Sequence, residues 1–202
     1  MITLELLLAI ATFAFVTTIT PGPNNIMLTV SGANFGFKRT LLHLAGIVVG
    51  VAVLHLAAGL GLATVLKQIP AVEGLLKMMG SAYLLWLALK LLRFQYNDEG
   101  STDKNTAKPL SLWQGMTFQC VNPKVWMMVV SANASFAVSG DAYWLSVLWI
   151  VVLFATVGAA SNMIWIRFGQ FIRRYLQQAE YLRIFNITMA IMTAACVVLI
   201  WK

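Results

Sequence analysis

Long apolar runs separated by charge or proline dominate the pattern of this chain, near 4–35, 41–66, 71–93, 110–138, 143–168 and 183–201. About 20 helical residues, rising 1.5 Å each, cross the roughly 30 Å hydrocarbon core of a bilayer. The second, third, fifth and sixth runs fit one crossing each. As straight helices the first and fourth would reach roughly 45 Å, and both are interrupted. The first contains Pro21-Gly22-Pro23-Asn24-Asn25 and the fourth Asn122-Pro123-Lys124. Each is expected to break into two half-helices or a re-entrant turn, because proline removes a backbone donor and clashes with the preceding turn.

The two interruptions lie one hundred residues apart. At that offset Thr17 matches Thr117, Pro23 matches Pro123, Met27 matches Met127, Val30 matches Val130 and Ser31 matches Ser131. This predicts two three-helix repeats, 1–94 and 110–202, around the polar linker 95–109. An odd number of crossings per repeat inverts the second relative to the first. The predicted fold is therefore an all-α integral membrane protein of six transmembrane helices, built as two inverted three-helix repeats with broken first and fourth helices. Paired broken helices at matching places are the best sequence pointer to a transporter's substrate site.

Composition strengthens the membrane assignment: 60% of residues are hydrophobic and 10% charged, against roughly 25% charged in a soluble domain. The net charge of +7 does not indicate nucleic acid, since the bases fall between apolar runs instead of clustering on one face. They set orientation. Lys38, Arg39, Lys90, Arg93, Lys104, Lys108, Arg167, Arg173, Arg174 and Arg183 belong to odd-numbered loops, whereas Lys67, Lys77 and Lys202 lie on the other side. Odd loops are expected in the cytoplasm and both termini outside. Arg167–Arg183, with aromatic and aliphatic residues among its bases, reads either as an amphipathic helix on the inner leaflet or as a solvated connector. Met1-Ile-Thr-Leu-Glu5 lacks the basic start of a cleaved signal peptide, so the first run is expected to be retained. Cys120 and Cys196 both lie in apolar stretches and read as small packing residues.

The candidate chemistry collects at the breaks. In continuing helices Pro21, Pro23 and Pro123 would leave the carbonyls of Thr17, Ile19 and Gln119 without their donors. A bound ammonium group would satisfy them, while half-helices starting near Asn24 and Lys124 would offer free N–H groups and a positive dipole end to a carboxylate. That combination suits a zwitterion. The alternative is a pair of kinks repaired by neighbouring Ser, Thr and Asn side chains. Lys124 is the one charged side chain placed near the middle of a run, which makes it a functional candidate or a snorkelling lysine. His55, in the middle of the second run, is the candidate for proton coupling, or else a neutral interhelical hydrogen bonder. Glu5, Glu73, Asp98, Glu99, Asp103, Asp141 and Glu180 all fall at ends or in loops, and His43 reads as interfacial.

Asn162 and Ser161 place polar groups inside the fifth run. Gly46 and Gly50 in the second, and Gly158-Ala-Ala-Ser161 in the fifth, read as close-packing surfaces. Tyr83 and Trp86 read as lipid-facing or interfacial fillers, or else as lining a cavity. There is no metal-ligand cluster, phosphate-cradling loop, serine elbow or pair of buried acids, so neither enzymatic activity nor a metal or cofactor is expected.

Several of these motifs together resemble the LysE/RhtB amino-acid exporters: Thr20-Pro-Gly-Pro-Asn-Asn25, Gly46-x-x-x-Gly50, Gly80-x-Ala-Tyr-Leu-x-Trp-Leu-Ala88 and Asn122-Pro-Lys124. The resemblance covers the whole chain. Thr20–Ile26, Ala107–Trp113, Phe118–Asn122 and Asn162 are most similar to the branch that exports cysteine and O-acetylserine. The resemblance implies a multi-pass protein of a bacterial inner membrane, with periplasmic termini, exporting a small neutral amino acid in exchange for protons. It implies substrate contacts from Pro21, Gly22, Pro23, Asn24, Asn25, Gln119, Asn122, Pro123, Lys124 and Asn162, with His55 as the proton-coupling candidate. The partners are then a small neutral amino acid, protons and the lipid bilayer, with monomer or homodimer left open. Asn162 stands where several relatives of the threonine and homoserine type carry aspartate. Without a buried acid to pair a second positive charge, cationic substrates are disfavoured. The alternatives are a non-transporting scaffold or assembly protein, and a transporter of another small ion or metabolite.

Overall fold

The computed structural model describes residues 2–61, 70–92, 109–176 and 179–201. Among them the regular structure is helical: α1 (Leu4–Ile19), α2 (Pro23–Phe35), α3 (Phe37–Gly59), α4 (Pro70–Leu92), α5 (Leu112–Gln119), α6 (Pro123–Phe136), α7 (Tyr143–Arg173) and α8 (Ala179–Ile200), with a short 3₁₀ turn at Gly140–Ala142 before α7. The polar linker predicted over 95–109 lies outside the described residues except for Pro109, as does the end of the second predicted run beyond 61. By length and composition, Phe37–Gly59 and Gly140–Arg173 are apolar enough to cross a membrane, and α1 with α2 makes a third crossing if counted as one bent span.

Both expected interruptions are present. The axes of α1 and α2 differ by 63° across a break of a few residues, and the fourth run is divided into α5 and α6. The break in the first run has a local cause. Thr17, Thr18 and Thr20 turn their hydroxyls back onto the carbonyls of Phe13, Ala14 and Val16, competing with the main-chain ladder in the last turn. Pro23 then begins α2, where a missing N–H costs nothing. Pro123 does the same for α6. The short α5 starts with a capping box between Ser111 and Gln114, which fixes its beginning independently of any partner. Gly36, at φ +81°, makes the turn between α2 and α3 in a backbone region that favours glycine.

The basic stretch that starts at Arg167 begins inside α7, which continues unbroken to Arg173. Arg167 lies over the ring of Phe37 at 4.0 Å, so its charge closes one end of the α3–α7 contact.

Packing places α2 at the centre. Ile26, Met27, Leu28, Val30 and Ala33 are all buried. Leu28 joins a core with Ile10, Leu44, Val129, Ile150 and Ile166, while Ile26, Met27 and Val30 join a second core with Leu84, Leu87 and Phe118. A helix buried on most sides is apolar on most sides, and α2, about 20 Å long, is enclosed by its neighbours. Its main partner is α7; α3 packs on α5, α6 and α7, and α4 on α8.

Glycine sets the separations. A Cβ on Gly32 would collide with the Ile166 carbonyl, and one on Gly169 with the Thr29 carbonyl, so α2 and α7 touch backbone to backbone. Gly46 lies against the Leu112 carbonyl, and Gly115 lies against that of His43 across the α3–α5 contact. Lipid tails offer little driving force for helix association, so close van der Waals approach of this kind has to supply it. Leu42, Val49 and Val53 on α3, with Leu145, Leu148 and Val152 on α7, remain exposed, as an outer surface solvated by lipid requires.

Candidate functional site

The two breaks meet. Lys124, in the first turn of α6, extends its ammonium group to the Thr20 carbonyl and lies 3.4 Å from the Pro21 carbonyl, both in the bend between α1 and α2. Asn24, in the first turn of α2, donates to Gln119 Oε1 at 2.8 Å, and Gln119 returns a bond to Asn24 Oδ1 at 3.2 Å. The second Gln119 proton goes to the Gly115 carbonyl at 2.7 Å, holding the amide in register with α5. Residues about one hundred positions apart thus form one polar knot with two crosslinks.

The distribution of open carbonyls differs from the sequence expectation. The carbonyl of Gln119 accepts from the Asn122 amide at 3.3 Å, in the turn before Pro123. The bends also present the carbonyls of Thr18, Thr20, Pro21 and Cys120 to side-chain donors. Asn25 Nδ2 satisfies Thr18 at 2.8 Å, Trp126 Nε1 satisfies Cys120 at 2.7 Å, and Lys124 takes the other two. Side-chain repair of a kink therefore accounts for Thr18 and Cys120. Thr20 and Pro21 are met by a cation.

Each break also leaves the start of its second helix uncapped. Gly22 and Asn122 precede α2 and α6, and neither helix start receives a side-chain cap. Both N-termini carry the partial positive charge of a helix dipole. Asn122 is 1% exposed, and its Oδ1 has no hydrogen-bond partner among the described residues. A buried acceptor left in that state costs on the order of 1–3 kcal/mol. Gly22 leaves room for the lysine: a Cβ there would lie 2.7 Å from Lys124 Cδ and 3.1 Å from Nζ.

Asn162 comes beside the first break. Gly158 packs on Thr18 at the end of α1, and Ile166 meets Gly32 in α2. With four-residue spacing Asn162 occupies the same stripe of α7 between those contacts, and it is buried. His55 does not join this group. It is fully buried, receives a bond from Asn133 Nδ2 at 3.0 Å on Nδ1, and packs on the Phe154 ring at 4.4 Å between centroids.

His43 is fully buried where α3 meets Gly115 of α5. Tyr83 faces protein and not lipid, since its ring stacks on Phe118, next to Gln119, at 4.8 Å. Its hydroxyl is buried without a described partner. Gly80, one turn earlier, lies against the Val121 carbonyl in the second break. The Gly80-x-x-Tyr83 spacing was the available signal, a small residue and an aromatic on one helix face. Trp86, by contrast, is 46% exposed, in keeping with its interfacial reading.

Comparison with known proteins identifies a family. Residues 15–201 match the family described as LysE type translocator. The chain is similar to proteins named cysteine/O-acetylserine efflux protein from Escherichia coli strain K12 and Shigella flexneri serotype 5b, at 33% identity over 97% of each chain. The protein of that name from Escherichia coli O1:K1 is 32% identical over the same share. No solved structure matches. With the family matched over nearly its full length and both diagnostic breaks joined in one site, this chain belongs to the LysE family of membrane translocators and is not an enzyme.

Proposed function

We propose that this chain exports a small neutral amino acid or close derivative, of the cysteine/O-acetylserine or threonine/homoserine type, from the cytoplasm across a bacterial inner membrane, by proton antiport. The observation that carries the reading is the bond from the Lys124 ammonium to the Thr20 and Pro21 carbonyls. An ammonium group is the chemistry a free amino acid would bring to that bend, so the lysine occupies the place a substrate amine would take.

The mechanism follows from one cation position and two claimants. With no substrate, Lys124 holds the two carbonyls, which would otherwise be buried without donors. An arriving amino acid offers its own ammonium to Thr20 and Pro21 and its carboxylate to the released Lys124 and the uncapped start of α6. Asn122 Oδ1 supplies a further acceptor. The Asn24–Gln119 amide pair ties the two half-helices together, so loosening it with substrate in place would let the halves move apart on the opposite side of the membrane. Neither α2, α5 nor α6 contains Asp or Glu, and the acid of α1 is Glu5 in its first turn. A dibasic substrate would find no partner for its second charge.

The inverted two-repeat fold belongs to the same proposal. If α5–α8 repeat α1–α4 in inverted sense, the α2–α7 contact corresponds to α6–α3 and the α1–α7 contact to α5–α3. All four contacts are present, and α3–α7 and α4–α8 map onto themselves. Both termini are then periplasmic, and the Gly36 end of α3, with Lys38, Arg39 and Arg173, faces the cytoplasm.

The direct test is efflux from proteoliposomes preloaded with labelled cysteine, O-acetylserine, threonine, homoserine, leucine or lysine, with and without a pH gradient. Saturable, gradient-responsive movement of a neutral amino acid is expected, and little of lysine. Movement of none by folded, inserted protein would refute the proposal. Gly22→Ala gives a sharper local prediction. Gly22 has an extended backbone, φ −172°, that any residue adopts, so the variant is expected to fold and insert normally. Its methyl group displaces Lys124 and should weaken export severalfold. Combined with Lys124→Met it should cost nothing more, because both act on one contact. Additive losses in the double variant would show that Gly22 acts elsewhere.

A further inference from the structure

The site described above has no use for His43, yet its surroundings are unusual. The side chain is fully buried, and neither Nδ1 nor Nε2 has a hydrogen-bond partner among the described residues. A neutral imidazole has one donor and one acceptor, and burying both unpaired is costly enough that such groups call for a functional explanation.

Its position supplies one. A Cβ on Gly115 would lie 3.0 Å from His43 Cδ2, so the ring lies directly against α5. The Gly115 carbonyl is the one that anchors Gln119 Nε2, and Gln119 is bonded to Asn24 in the substrate site. On the other side, one turn back along α3, Thr40 donates to the Gly36 carbonyl and accepts from Ser31 of α2 at 2.9 Å. Thr40 and His43 share a face of α3 by spacing. His43 thus stands between a hydroxyl pair near the basic end of the helix and the amide pair that joins the two breaks.

Among the described residues no carboxylate is placed to fix a charge on this ring. Of the helices packed against α3, neither α2 nor α5 has a charged residue, α6 offers Lys124, engaged on the first bend, and α7 offers Arg167 and Arg173. Arg167 lies over Phe37, and Arg173 beside Gly36. On α3 itself the other titratable or charged groups are Lys38, Arg39 and His55. The charged groups described on these helices are all basic, so a proton held at His43 and a second cation in the adjoining site repel each other. Alternation of the two is the requirement for antiport.

We propose that His43, and not His55, is the proton-binding residue of the exporter, an inference that rests on the efflux reading above. A proton from periplasmic water adds to the free ring nitrogen when the amino acid has left. It departs to cytoplasmic water, past Thr40 and Ser31, when the next amino acid enters. His55 is the poorer carrier because Asn133 already holds its Nδ1 and Phe154 covers its face.

The test separates exchange from coupling. Exchange of labelled internal for unlabelled external amino acid at equal pH needs no net proton movement, whereas gradient-stimulated efflux does. His43→Gln and His55→Gln would be reconstituted at matched abundance alongside wild type. We expect His43→Gln to exchange near the wild-type rate and to lose stimulation by the pH gradient, and His55→Gln to keep both. Retained stimulation in His43→Gln would overturn the proposal, as would loss of exchange together with stimulation, which marks a structural or substrate role. So would exchange without any pH response in wild type. Wild-type protein that exchanges no amino acid would instead refute the efflux reading, and this inference with it.

Discussion

Replacing Lys124 with methionine is expected to lower export at least tenfold at matched membrane abundance. Each hydrogen bond to a charged group contributes about 1.5–3 kcal/mol, and about 1.4 kcal/mol is a factor of ten. The substitution removes the donor to Thr20 and Pro21 and the proposed partner of the substrate carboxylate, so both ends of the cycle suffer. Arginine should not rescue it. Its planar guanidinium keeps the charge but not the compact shape that fits beside Gly22. Initial rates of efflux from proteoliposomes over a range of internal substrate concentrations would check this. Export by Lys124→Met at the wild-type rate would show that the lysine is a structural clamp between the breaks, and the substrate site would have to be sought elsewhere.

Gly169→Ala is expected to have the largest effect on stability. Its Cβ would enter the Thr29 carbonyl and press on the Ala33 amide nitrogen at 3.0 Å. These are backbone atoms of α2, which cannot rotate away as a side chain would. The helices must separate, and α2 is the element that both cores share. Overpacking costs typically 1–3 kcal/mol, which for a chain of this size lowers the melting temperature by roughly 2–12 °C. Gly74→Ala is the control. It is also helical, but a Cβ there meets nothing within 4 Å, so alanine should be neutral or slightly stabilising. Melting in detergent, followed by the helical circular dichroism signal, would compare the two variants. Equal melting temperatures would mean that α2 and α7 are less tightly coupled than their packing implies.

The reading from residues to structure succeeded where the physics is local. Apolar length and the two proline motifs act within a few residues of themselves, so the helices and both breaks were legible in the chain. The motif that marked the site also contained its main groups: Asn24, Gln119 and Lys124 all reach the junction of the breaks. Partner assignments were not legible. Which side chains reach the open carbonyls of one bend depends on what the other break brings beside it, as Lys124 shows at Thr20 and Pro21. Whether Tyr83 or His43 faces lipid or protein depends on which side of its helix a neighbour covers. Small residues elsewhere in sequence decide that, Gly115 for His43 and the approach of α4 to Val121 for Tyr83.

Sequence by itself therefore determined that the chain is an apolar helical membrane protein, interrupted at two matched places. Those are properties of composition and short-range backbone chemistry. Only the tertiary structure decided that the two interruptions touch, that Lys124 occupies the cation position made by the other break, and that His43 is enclosed while His55 is held by Asn133. Each is a contact between residues far apart in the chain. Such contacts are fixed by how closely glycine-lined helices approach, a distance that no local pattern records.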